Sequence, residues 1–114
     1  MALNRTSIAV GTTGTVNIGT AGDDVVESVV FQLTQSSGSF SVTPQAVLQQ
    51  SGNAAANVQY VNVLTGAVAS AGTAITAAGI YAVFAPGLAV SLNVGSVATA
   101  ALVVDCARVA GRVL

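Results

Sequence analysis

The groups that could do chemistry are few: four carboxylates (Asp23, Asp24, Glu27 and Asp105), three arginines (Arg5, Arg108 and Arg112), one thiol (Cys106), and no histidine or lysine. Without His or Lys, acid/base catalysis falls to the carboxylates, and no base is available to activate a Ser, Thr or Cys nucleophile. No glycine-rich stretch carries the lysine of a phosphate-binding loop. The reading is non-enzymatic: no catalytic, cofactor-binding or metal site is expected. Asp23, Asp24 and Glu27 are close enough in sequence to consider for Ca²⁺, which prefers several carboxylate oxygens, but an Asp-Asp pair after a glycine also makes a solvated turn. The solvated turn is the reading adopted. Cys106 has no second Cys or His with which to share a bridge or a metal. It is expected to be a small buried apolar side chain, the alternative being an intermolecular disulfide. Asp105, three residues from Arg108, is either a plain surface acid or one half of an ion pair across a subunit boundary. Asn4-Arg5-Thr6 matches a glycosylation acceptor, a pattern too short to weigh without an export signal.

The charge-poor composition bounds the partners. Only 6% of the 114 residues are charged while 53% are hydrophobic, against about 25% charged in an ordinary soluble domain. The net charge is -1, and the whole stretch between Glu27 and Asp105 is uncharged. Three scattered arginines cannot displace counterions along a phosphate backbone, so nucleic acid is not an expected partner. The arginines lie near the two ends of the sequence, where they either anchor the protein to an acidic surface or are merely solvated. A surface built on hydroxyls and amides instead of charges suggests one that neighbours cover.

Elements that could position these residues are short. Turn formers recur at 11–14, 19–24, 36–38, 51–53, Thr65-Gly66, Gly72, Gly79, Pro86-Gly87 and Gly95-Ser96, and between them apolar residues alternate with period two. Val29, Phe31 and Leu33 form one such row, Phe40 and Val42 a second, and Leu88, Val90, Leu92 and Val94 a third. Further strands are predicted at 6–10, 15–18, 46–50, 58–64, Gly79–Phe84 and 97–108, with a helical turn as the option for 53–57. Pro44 must lie at an edge or a bulge, since it has no N–H for the ladder. Residues 77–104 average to a membrane-like hydropathy, yet Pro86, Gly87, Ser91, Asn93, Gly95, Ser96 and Thr99 interrupt them, so membrane insertion is not expected. The start of the sequence lacks the apolar stretch of a secretory signal, from which a product made and kept in the cytoplasm is expected.

Eight or so short antiparallel strands must close into two layers, because a lone sheet leaves an apolar face in water. The expected fold is all-β, an antiparallel two-sheet sandwich of jelly-roll type, with an immunoglobulin-like sandwich as the alternative. Residues 1–24 are expected to be an N-terminal arm or the first strands, and residues 25–114 the β-sandwich domain. Most of Phe31, Phe40, Tyr60, Tyr81 and Phe84 are needed for the core, and with no Trp there are few aromatic platforms for a sugar.

Three stretches, ESVVFQLTQSSGSFSV from Glu27, NVLTGAVASAGTAITAAGIYAVFAPGLAVSLNV from Asn62 and the final ALVVDCARVAGRV, carry a resemblance. The most specific part is Ile75-Thr76-Ala77-Ala78-Gly79-Ile80-Tyr81 followed by Pro86-Gly87-Leu88: a Gly-aromatic strand, a short turn and an apolar strand. The chain resembles small β-sandwich structural proteins of tailed bacteriophages and prophages, although it lacks the tryptophan-bearing strand of many of them. The resemblance implies a virion protein assembled in the host cytoplasm, foremost a capsid decoration (cement) protein that stabilises the head. Its partners would be the major capsid protein or other virion proteins, and further copies of itself in a homo-oligomer. The alternatives are a tail, baseplate or head-fibre module that contacts the host, and a carbohydrate-binding or adhesive module.

Overall fold

The computed structural model describes residues 3–10, 13–19, 26–35, 39–47, 54–84, 88–97 and 102–110. Ten strands follow one another: β1 (Leu3–Val10), β2 (Gly14–Gly19), β3 (Val26–Gln35), β4 (Phe40–Val47), β5 (Ala56–Asn57), β6 (Tyr60–Asn62), β7 (Val68–Ala69), β8 (Gly79–Phe84), β9 (Ala89–Val97) and β10 (Leu102–Ala110). They form two antiparallel sheets, one in the order β1-β10-β3-β8-β6-β7 and the other in the order β2-β9-β4-β5. Most successive strands change sheet, so β1-β10-β3-β8 and β2-β9-β4-β5 each mix early and late strands. This connectivity is that of a jelly roll, whereas an immunoglobulin-like sandwich keeps its first two strands paired in one sheet. The β6–β7 hairpin is an addition, inserted between β5 and β8 and laid along the free edge of β8.

The period-two rows meet between the sheets. Phe31 and Leu33 of β3, Leu102 and Val104 of β10, and Val42 and Leu92 of the facing sheet are fully buried. Cys106 belongs to this core too, facing Phe31 in register, as a small apolar side chain would. Four of the five aromatics are buried, and Phe84 is the exception.

Several boundaries differ from the sequence reading. Gly95 and Ser96 are not a turn but lie inside β9, and the predicted strand 97–108 divides into the end of β9 and the whole of β10. The cause is a bulge: Ser41 pairs Ser96 and Val42 pairs Val94, leaving Gly95 as the extra residue. A glycine within a strand marks such a kink as readily as a turn. Ala46 is no start of a new strand; it belongs to β4, which runs through Pro44 and ends at Val47. β4 is second from its edge, and the Pro44 carbonyl accepts from the Val58 N–H on the edge side at 3.2 Å. The proline nitrogen faces that same side, where β5 offers only two residues, so no ladder bond to β9 is lost. The helical turn considered for 53–57 is absent: Ala56 and Asn57 pair Ala46 and Gln45 as β5, since a bare edge offers hydrogen bonds that a single turn cannot match. Within the predicted strand 58–64, β6 covers Tyr60–Asn62, and a turn follows. Gly79–Phe84 stands as predicted. The turns predicted at 36–38, 51–53 and Pro86-Gly87, and the acidic pair Asp23 and Asp24, lie outside the described residues.

Candidate interaction surface

An antiparallel sheet with one face on a core normally turns polar side chains outward. The two outer faces here depart from that pattern in different ways. On the six-stranded sheet, register places Ala107, Val30, Ala82, Val61 and Val68 in one row across β10, β3, β8, β6 and β7. Ile80 and Phe84 flank Ala82 on the same face, because alternation along β8 turns Tyr81 and Val83 inward. Ala82 and Val61 in the middle of this row are themselves buried, so the apolar surface left in solvent on the uncharged β8–β6–β7 side is that of Phe84 and Val68.

The other sheet turns out amides and hydroxyls. Asn17, Ser91, Gln45 and Asn57 share one row, and Thr15, Asn93 and Thr43 the next. Gln45 Nε2 donates to Asn57 Oδ1 at 3.0 Å, pinning the short edge strand β5 to β4. One outer face is thus apolar on its β8–β6–β7 side, and the opposite one is polar and, among the described residues, uncharged.

At the rim of the apolar face the chain makes a rigid projection. The Asn62 carbonyl accepts from the Gly66 N–H at 2.7 Å, and the Asn62 N–H donates to the Ala67 carbonyl at 2.8 Å. Asn62 Oδ1 accepts from the Leu64 N–H at 3.0 Å, and Thr65 Oγ1 accepts from the Ala67 N–H at 3.2 Å. Gly66, at φ 78°, provides the left-handed residue that closes the loop. These bonds hold Leu64 outward with 68% of its surface in solvent, beside Val68 at 60% and Val63 at 42%. Among the described residues, only Phe84 is also a large hydrophobic side chain left exposed. The sequence reading placed a turn at Thr65-Gly66 but missed the projection; the available signal was a Val-Leu pair caught between the turn formers Asn62 and Thr65-Gly66.

Behind the hairpin an aromatic cluster fixes its base. Tyr81 stacks on Phe31 with ring centroids 5.8 Å apart and meets Tyr60 edge-on at 5.8 Å. The Tyr81 hydroxyl donates to the Ala77 carbonyl at 2.8 Å, and the Tyr60 hydroxyl to the Thr73 carbonyl at 3.0 Å, tying the connection before β8 to the core. Gly79 permits this path: a Cβ there would stand 3.2 Å from the Tyr81 hydroxyl. That close approach is the physical content of the Gly-aromatic pattern seen in the sequence.

Burial raises the pKa of both phenols above the ordinary value of 10.0, and for Tyr60 the charge of a neighbouring Tyr81 phenolate raises it further. The folded chain therefore holds these protons more tightly than the unfolded chain. Their contribution to stability is complete below the unfolded value and is lost as pH rises through the folded values. Urea midpoints are expected to be level from about pH 7 to 9 and to fall above about pH 10, with a shallower fall for Tyr81→Phe. An equal fall in that variant would remove Tyr81 from the account.

Of the groups singled out in the sequence, Asp105 and Cys106 fall on opposite faces of β10, Cys106 in the core. Asp105 lies half-buried on the outer face of β10, with Ser7 and Gln32 opposite. Arg108 occupies the β10 position between Asn4 of β1 and Val29 of β3. Arg5 occupies the β1 position opposite Ala107, and Arg112 lies outside the described residues. No group of three or more His, Cys, Asp or Glu that could hold a metal occurs among the described residues. No helix there is long and apolar enough to cross a membrane.

No protein-family model matches the sequence, and neither does any curated protein. Among solved structures, the fold is similar to the crystal structure of SPBc2 prophage-derived protein YomS, with a TM-score of 0.63 over 94% of this chain and 95% of that one. At 17% identity the likeness is one of fold, and it extends over nearly the whole of both chains.

Proposed function

We propose that the protein is a non-enzymatic structural component of a bacteriophage virion, a capsid decoration protein that stabilises the head. The observation that carries this reading is the uncharged apolar β8–β6–β7 side of one outer face, rimmed by Leu64, a surface that gains by being covered. The prophage origin of the protein with the similar fold, together with the resemblance in the sequence, supports placing that cover in a virus particle. The large apolar side chains left in solvent there, Val63, Leu64, Val68 and Phe84, expose roughly a few hundred Å², worth about 5–10 kcal/mol at about 25 cal/mol per Å². Association costs an estimated 4–15 kcal/mol, so one such contact is close to balanced and firm attachment calls for several at once. A shell studded with many copies supplies them. Attachment of this kind is insensitive to salt, since no charge takes part.

Electron microscopy of particles with and without the protein tests the reading. Regular density over the head is expected, with particles lacking it losing heat resistance. Density confined to the tail would favour a host-contact module, and absence from particles would overturn the virion assignment.

A further inference from the structure

Of the four sheet edges among the described residues, three are protected. β7 and β5 are two residues long, and beyond β5 the edge of β4 is bridged at Val42 by Ile75 through two backbone hydrogen bonds. β2 is broken by a register shift between Asn17 and Gly19 and begins at Gly14 with φ 135°. Short strands and bulges are the usual means of keeping an edge from pairing with another chain.

β1 has neither. Its pairing with β10 runs from Leu3 opposite Val109 to Val10 opposite Leu102 without a register shift. It contains no proline and no lysine, and its single charged residue is Arg5. An uninterrupted strand of eight residues at the edge of a six-stranded sheet is a template for strand addition.

We propose that this edge is occupied by the β1 strand of a second copy, antiparallel, about a two-fold axis through Thr6. Two constraints select the register. A two-fold axis perpendicular to the sheet keeps both copies' outer faces on one side, which requires that it pass through a residue and not between two. An axis through Arg5 would set two like charges directly opposite, a destabilising arrangement. An axis through Thr6 sets Arg5 opposite Ser7 of the second copy, and Ser7 is the register partner of Asp105. Arg5 of each copy thereby enters the cross-strand row that contains Asp105 of the other, on the outer face where Asp105 lies. An axis through Ser7 would put Arg5 opposite Ala9 and away from that acid. Within one chain Arg5 and Asp105 are diagonal neighbours, since Arg5 lies opposite Ala107 and Ser7 opposite Asp105; the Thr6 register adds the opposite charge of the second copy in line with each, the complementarity that favours a second copy as the partner. The product is one continuous sheet of two six-stranded halves, with both apolar faces turned the same way. This goes beyond the virion reading and does not require it.

The test is sedimentation of the intact chain in solution, with thermal melts confirming that each variant is folded. Wild type is expected to dimerise, and Arg5→Asp or Asp105→Arg alone to weaken the dimer about tenfold, since each change acts twice across the two-fold axis. The double variant Arg5→Asp/Asp105→Arg is expected to recover to within about threefold of wild type. Amide hydrogen exchange supplies a second readout: protection over residues 3–9 rises with protein concentration if β1 pairs with its copy. A chain that stays monomeric at about 100 μM overturns the proposal. So does a dimer that ignores both charge reversals, or one that Leu64→Asp abolishes while the β1 amides stay unprotected. None of these readouts uses particles, so the proposal can fail while the virion reading stands, and the reverse.

Discussion

A Phe31→Ala variant is expected to lose about 3–5 kcal/mol of folding stability, lowering the urea midpoint by roughly 1.5–3 M. Phe31 is fully buried on β3, with Cys106 of β10 and Tyr81 of β8 as its register partners. Truncation removes the ring on which Tyr81 stacks and leaves a cavity that two flanking strands, held by their ladders, cannot close. Since a domain of this kind has only about 5–15 kcal/mol in total, a large share of the molecules would be unfolded at physiological temperature. Phe31→Leu, which keeps most of the volume, should recover more than half of the loss. A cost below about 1 kcal/mol for the alanine variant would mean that the two sheets do not meet at this residue.

Leu64→Asp should do the opposite: leave folding alone and remove attachment. The side chain is 68% exposed and its turn is held by backbone and Asn62 hydrogen bonds, so the urea midpoint should move by no more than the equivalent of about 0.5 kcal/mol. A carboxylate buried without a partner in an apolar contact costs at least 2 kcal/mol at a central anchor, about a thirtyfold loss of affinity. Because the turn is already rigid, little ordering entropy dilutes that effect. Occupancy of the variant on particles, by gel densitometry against wild type, is the measurement. Unchanged occupancy would show that the hairpin does not touch its neighbours, and the search would move to the polar face of the other sheet.

How far the fold could be read from the sequence depended on contrast between the two phases of each strand. Along β4, Phe40, Val42 and Ala46 alternate with Ser41, Thr43 and Gln45, and the structure buries the first set and leaves the second half-exposed. Where both phases are apolar the contrast vanishes. Ile80, Ala82 and Phe84 point away from the core while Tyr81 and Val83 point into it, and nothing in GIYAVF distinguishes them. The apolar outer face was therefore hidden among residues that read as core, although the lack of charge between Glu27 and Asp105 announced that some surface would be covered. Gly95 shows a second limit: the same absence of a side chain serves a turn and a bulge, and only the facing strand decides between them. Pro44 was expected at an edge or a bulge and lies at neither; the brevity of β5 is what lets a proline occupy a strand second from the edge. The sandwich and its jelly-roll path were legible because alternation together with frequent turns leaves few other ways to cover two apolar faces.

The place of β10 between β1 and β3 also governs the order of events in folding. Thr6 finds Cys106 roughly a hundred residues later, so β1 has no partner in its own sheet until the tenth strand exists. At about 5–20 residues per second, a ribosome would leave β1 waiting some 5 to 20 s, while the loop its pairing must close grows steadily longer. Contacts this distant in sequence place the chain among slow folders, on the scale of milliseconds to seconds once synthesis is complete. Through that interval the uncharged middle of the chain has only hydroxyls and amides, and no like-charge repulsion, to keep it from its neighbours. For this topology the dangerous period is the time before β10 arrives, and its length is set by the rate of translation.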